Sequence, residues 1–272
     1  MPTASSNGVG LHYEIFGAGR NIVLCHGYSG SHQDWIQPIS ALMSDYRVVV
    51  KDRRGHGSSQ APASADAYSI KTFADDVMSV MSVAGITECC LGGHSMGGFI
   101  ALELALSHPE LVAALVLVDT SSGEMDMPPE HSEARLKALD IARAQGTAAA
   151  FDYVADNSPM VKDHLQKHPH MRAISRQRTM ETSAEGYAHA WGALRNWTPL
   201  TPRLPEIKAP TLIVVGEEDV PFLRPAQVLR DGIPNSRIAM IPGSGHTPQL
   251  EKPEAFNRAL REFLAQHFPP AG

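Results

Sequence analysis

Apolar residues recur along the first 120 positions in two alternating rhythms. Val9, Leu11, Tyr13 and Ile15 alternate with polar or small neighbours, which predicts a half-exposed strand over 8–16 before Gly17-Ala18-Gly19 turns the chain back. Unbroken apolar runs close Asn21–Cys25, Arg47–Val50 and Leu111–Val118, and Cys89-Cys90-Leu91 makes a shorter one. Such runs are the mark of strands covered on both faces. Helical spacing fills the gaps, in Trp35–Leu42, in Tyr68–Val83 with Ile70, Phe73, Val77, Val80 and Met81 on one face, and after Met96 to about Leu106. Strands alternating with helices in this way predict an α/β fold whose sheet is mostly parallel, with helices on both faces.

At about Ser121 the rhythm changes. No strand-like run follows until Pro202, and helical segments are predicted at 132–145, 147–154, 160–167, 171–180 and 183–196, punctuated by Pro128, Pro129, Pro159, Pro169 and Pro199. Strand character returns at Thr211–Val215 and Arg237–Ile241, and a last amphipathic helix spans about 253–267. The organisation expected is a core built from 1–121 and 203–272, interrupted by a helical insertion over 122–202.

Composition narrows the function classes. The 272 residues are 43% hydrophobic and 19% charged, with a formal net charge of −6 and no run of five like charges. That argues against a nucleic-acid surface, which needs clustered Lys and Arg. The run at 111–118 is far too short to span a membrane. The N-terminus shows no basic segment followed by an apolar one, so a cytoplasmic protein is expected. Cys25, Cys89 and Cys90 fall in or beside strands and read as small core hydrophobes. Asn196-Trp197-Thr198 fits a glycosylation sequon that is read as accidental.

The chemistry centres on Gly93-His94-Ser95-Met96-Gly97, where a short buried strand turns into a helix. A serine hydroxyl needs a base, and the base needs a third group to orient it. Both follow in chain order. Asp219 lies just past the strand 211–215, and His246 lies just past the strand 237–241. Glu217, Glu218 and Asp119 are rival acids. All three assigned positions follow the carboxyl ends of strands, so a parallel sheet delivers them to one edge.

Other candidates divide. His26 and His56 sit in glycine-rich loops and read as backbone braces, and His94 fits either pocket or helix packing. His164, His168 and His170 invite a metal reading, but Pro169 interrupts their helix and no carboxylate or cysteine completes the set. No metal is expected. Trp35, Trp191 and Phe222 are candidates to line a pocket, with Phe151 and Trp197 as further aromatics.

Gly-His-Ser-Met-Gly-Gly, the early His26-Gly27 loop, Asp-Arg-Arg-Gly-His-Gly-Ser-Ser at 52–59, Gly-Glu-Glu-Asp at 216–219 and Gly-Ser-Gly-His at 243–246 together resemble the α/β-hydrolase fold family with a helical cap. The resemblance implies an oxyanion hole made by the backbone N–H groups of Tyr28 and Met96. It further implies an acyl-enzyme mechanism that uses no cofactor. Serine at the elbow sets the chain apart from members with aspartate there. Small carboxylesterases, 3-oxoadipate enol-lactonases and cofactor-free haloperoxidases are most similar, whereas C–C bond hydrolases commonly have Asn where this chain has His94. The function expected is cleavage of a small carboxylic ester, with lactone or C–C cleavage as alternatives and a ligand-sensing receptor as the reading of another class. The partner expected is a small-molecule ester or lactone.

Overall fold

The computed structural model describes residues 3–123 and 127–271. Its elements follow the apolar rhythm. The first half runs β1 (Thr3–Ser6), β2 (Val9–Phe16), β3 (Arg20–Cys25), α1 (Ile36–Leu42), β4 (Tyr46–Lys51), α2 (Ile70–Val83), β5 (Cys89–His94), α3 (Met96–Ser107) and β6 (Val112–Val118). Five helices come next: α4 (Pro129–Gln145), α5 (Thr147–Asn157), α6 (Pro159–Lys167), α7 (His170–Met180) and α8 (Ala184–Arg195). The chain ends with β7 (Thr211–Gly216), α9 (Val220–Gly232), β8 (Ser236–Ile241), α10 (Pro248–Glu251) and α11 (Pro253–His267).

One sheet of eight strands runs β1-β2-β4-β3-β5-β6-β7-β8. β1–β2 and β2–β4 are antiparallel, and every pair from β4 to β8 is parallel. Alternation along each inner strand splits the core into two layers. Val23, Leu91, Leu115 and Leu117 face α2 and α3, packing with Phe73, Val77 and Phe99. Ile22, Leu24, Val48, Val50, Val116 and Val214 face α1 and α11, packing with Trp35, Ile39, Phe256 and Phe263. Cys89 and Cys90 fall in opposite layers, and all three cysteines are buried and free.

Among the elements not foreseen are β1 and α9. β1 is too short to show a period, and it forms because Ala4 and Ser6 face inward while the strand pairs with β2. α9 contains Pro221 and Pro225, a residue type that ordinarily interrupts a helix. Pro221 sits at the start of the helix, where its missing N–H costs nothing, and burial of Phe222, Ala226 and Leu229 outweighs the bond lost at Pro225.

The helices α4–α8 leave and rejoin the sheet at a common neck, where Leu200 N donates to Ser122 O at 2.7 Å and the Ser122 and Thr201 hydroxyls lie 2.6 Å apart. This segment docks on loops that follow the strands. Ser183 N donates to Gly55 O at 2.9 Å, Gly57 N donates to Glu181 O at 2.8 Å, and the Tyr28 hydroxyl donates to Tyr187 O at 2.7 Å. Any Cβ on Gly55 would strike the backbone of Gly186, so the two segments touch main chain to main chain. Beside that contact Arg54, donating through Nε to Asp76 Oδ2 at 2.8 Å, is buried with its partner. Asp76→Ala would strand an uncompensated guanidinium, so a loss of about 3–5 kcal/mol in unfolding free energy is expected on denaturant titration.

Candidate active site

Ser95 stands where β5 breaks into α3, with φ 51° and ψ −118°. This strained backbone is held by close packing on both sides. A Cβ on Gly93 would run into the main chain of Gly97, and one on Gly97 would run into the carbonyl of Cys25. Neither clash can be relieved by a side-chain rotation, which is why glycine occupies both positions. Ser95 N donates to Val118 O at 2.8 Å, and the Thr120 hydroxyl donates to Ser95 O at 2.8 Å, so neighbouring β6 and its following loop fix the turn.

The hydroxyl meets an imidazole. Ser95 Oγ lies 3.0 Å from His246 Nε2, and His246 Nδ1–H donates to Asp219 Oδ2 at 2.7 Å. Asp219 is 6% exposed, at the start of α9. The loop that carries His246 is braced by Glu251, whose carboxylate accepts from Gly245 N at 2.7 Å, Thr247 N at 2.9 Å and the Thr247 hydroxyl at 2.7 Å. His94 adds a second brace, its Nε2–H donating to His246 O at 2.6 Å. The Phe222 ring packs on the imidazole with centroids 4.7 Å apart.

The rival acids have other partners. Glu217 accepts from Gly243 N at 2.9 Å, and Glu218 accepts from His168 Nε2 at 3.1 Å. Asp119 lies buried beside Asp219 and accepts from Gly216 N at 2.9 Å. Burial first, and then the charge of Asp219, pushes the Asp119 carboxyl well above the usual carboxylate range.

The Gly27–Tyr28 peptide adjoins the serine, since a Cβ on Gly27 would stand 3.3 Å from Ser95 Cβ and 2.6 Å from His94 Nδ1. Its plane is set by its carbonyl. Gly27 O accepts from His26 Nδ1–H at 2.8 Å, Arg53 Nη2 at 2.9 Å and Gly30 N at 3.2 Å. Arg53 is 1% exposed, and burial pushes its guanidinium down to about 10, which still leaves it charged at neutral pH. Arg53 and Glu251 were missed from sequence, because a basic residue in a loop and an acidic one before Lys252 carry no pattern that marks them as braces. His26 and His56 do hold loop backbone, His26 accepting from Arg53 N at 3.0 Å and His56 bonding to Arg54 O at 3.0 Å.

The three candidate pocket aromatics part company. Phe222 lies against His246, and Trp191 packs on the Tyr28 ring at 5.6 Å, so both border the serine's surroundings. Trp35 does not. It is 1% exposed in the layer under α1 and α11, 6.4 Å from the Phe256 ring, because the helical turn preceding α1 points it into the sheet's opposite face. Phe151 packs inside the helical segment with Met171 and Leu165.

Four histidines are buried in forms that resist protonation. Burial is the first cause at His26, His56 and His94, all pushed well below 6.5, and at His131, pushed down to about 3. The unfolded chain binds these protons below about pH 6.5 and the folded chain does not, so stability falls as pH drops through that value. Each such group contributes about 1.4 kcal/mol per pH unit. Thermal melts at stepwise lower pH are therefore expected to show a Tm that declines from pH 6.5 downward and holds steady between pH 7 and 8.

Comparison with known proteins identifies the family of the fold. A profile of the family described as alpha/beta hydrolase fold matches residues 20–253. A protein of Variovorax paradoxus, provisionally named the carbamate hydrolase RutD, is 32% identical over 96% of this chain and 98% of its own. The crystal structure of an enol-lactonase from Burkholderia xenovorans superposes with a TM-score of 0.85 at 29% identity, covering 97% of this chain and all of that one. A thermophilic esterase from Thermogutta terrifontis superposes with a TM-score of 0.85 at 28% identity, covering 97% of both chains.

Proposed function

The chain belongs to the α/β-hydrolase fold family, and from that premise we propose that it is a serine hydrolase of small carboxylic esters. The observation that carries the reading is the unbroken line from Asp219 through His246 to Ser95, with bonds of 2.7 and 3.0 Å. Ser95 attacks the acyl carbonyl while His246 Nε2 takes its proton. Asp219 holds the imidazole with Nδ1 protonated, so that Nε2 is free to act as base. The oxyanion is received by the backbone N–H groups of Tyr28 and Met96, the first carried on the peptide that Arg53 and His26 lock. His246 returns its proton to the leaving alcohol, and water activated by the same nitrogen then releases the acid from Ser95.

The helical segment 122–202 acts in this reading as a cap over the serine. Its α8 brings Tyr187 and Trp191 onto Tyr28, which gives the site aromatic walls suited to a compact, largely apolar acyl group. Steady multiple turnovers of a short-chain nitrophenyl ester are the expected result, alongside weaker hydrolysis of lactones, carbamates and vinylogous diketones. Faster turnover of a lactone would move the assignment to lactonase. A single slow turnover with a change in cap mobility would replace the enzyme by a sensor.

A further inference from the structure

α6 and the residue that ends it lay two imidazoles against the loop that carries His246. His164 and His168, four apart in sequence, pack with their rings tilted and centroids 4.9 Å apart. Sequence spacing offered no carboxylate to join them, yet the fold brings two. His164 Nε2 stands 3.7 Å from Glu251 Oε1, and His168 Nε2–H donates to Glu218 Oε2 at 3.1 Å. One donor atom from each of His164, His168 and Glu251 lies within 4.8 Å of the other two. Pro169 does not disrupt the pair, because it begins only after His168 has closed α6 by donating its N–H to His164 O at 2.9 Å.

We propose that His164, His168 and Glu251 form a binding site for a divalent transition metal of the zinc class, with Glu218 as a fourth donor at its edge. Neighbouring ligand atoms around tetrahedral Zn2+ stand about 3.3–3.4 Å apart, given bonds of about 2.0–2.1 Å. The separation of His164 from Glu251 is too long for a hydrogen bond and close to that spacing, so small side-chain rotations complete the set. The chemistry also fits, since two imidazoles and a carboxylate suit zinc, whereas calcium and magnesium prefer oxygen alone. Glu251 is buried and already fixed by the Gly245 and Thr247 amides, which makes it a rigid anchor, while both histidines retain side-chain exposure through which an ion enters. A Cβ on Gly245 would collide with the His164 ring, so the imidazole rests directly on the catalytic loop. An ion held here ties the helical segment to the loop of His246 and restrains α6 from lifting.

The test is titration of chelator-treated, full-length protein with Zn2+, followed by Co2+ as a spectroscopic substitute. One ion per chain, a raised Tm, and cobalt absorption bands of a four-coordinate site are expected. His164→Ala and His168→Ala should each weaken binding by at least about tenfold, while His170→Ala leaves it unchanged. His168→Gln keeps a donor towards Glu218 and serves in place of an alanine variant that fails to fold. Among the described residues two other groups have metal-like spacing, His12 with Glu14 and His32, and Asp119 with Asp219 and His246. Binding that survives His164→Ala/His168→Ala, or that is lost instead in His32→Ala or His246→Ala, overturns the assignment. Neither result bears on ester hydrolysis by metal-free protein, so the two readings fail separately.

Discussion

Ser95→Ala is expected to lower kcat for a short-chain ester by roughly a million-fold, the scale found when a hydrolase loses its nucleophile. That factor corresponds to about 8 kcal/mol of barrier at 1.36 kcal/mol per decade. Alanine suits the site sterically, and the backbone strain at φ 51° is the same for either residue, so Tm should change little. The loss is then chemical and not a failure to fold. His246→Ala should cost the same order, because the serine at 3.0 Å then lacks an acceptor for its proton. The double variant should be scarcely worse than either single one, as nucleophile and base act as one unit. A stopped assay with a long time base reads all three. Residual activity above one part in a thousand would mean that another group delivers the attack.

The second large effect separates two neighbouring carboxylates. Asp219→Asn keeps the shape of the side chain, yet its amide group no longer enforces the tautomer that leaves His246 Nε2 free. A fall in kcat of about ten-thousand-fold is expected, as for loss of the acid in serine protease triads. Asp119→Asn should lower kcat by less than about tenfold. Burial and the nearby charge of Asp219 both favour the neutral form of the Asp119 carboxyl, and asparagine keeps a neutral acceptor for Gly216 N. Measuring kcat for both variants on one ester settles the division of labour. A reversed order would make the strand-end acid after β6 the functional one.

Much of this arrangement was legible before any coordinates. Unbroken apolar runs identified the inner strands, since a strand covered on both faces has no reason to alternate. Gly93 and Gly97 pointed to the elbow because close main-chain contact excludes side chains there. Ser95, Asp219 and His246 each follow the carboxyl end of a strand, so their meeting on one edge followed from parallel topology. What the sequence hid were contacts made by single residues between distant segments. Arg53 reaches back to Gly27 O, and Arg178 of α7 pairs with Asp34 beneath the early loop. Neither leaves a periodic trace. Trp35 shows the same limit from the other side, because helical spacing placed it in a helical turn without saying which face of the sheet it would meet. The partners of His164 and His168 were invisible for a related reason. Glu218 and Glu251 lie 50 or more residues away and meet α6 only through tertiary packing.

Trapping with a fluorophosphonate probe, followed by peptide mapping, tests the catalytic assignment most directly. The probe phosphonylates only a hydroxyl made nucleophilic by its surroundings. A single adduct on Ser95, slowed sharply by His246→Ala, is the predicted result. No adduct, or one on a different residue while ester hydrolysis persists, would contradict it.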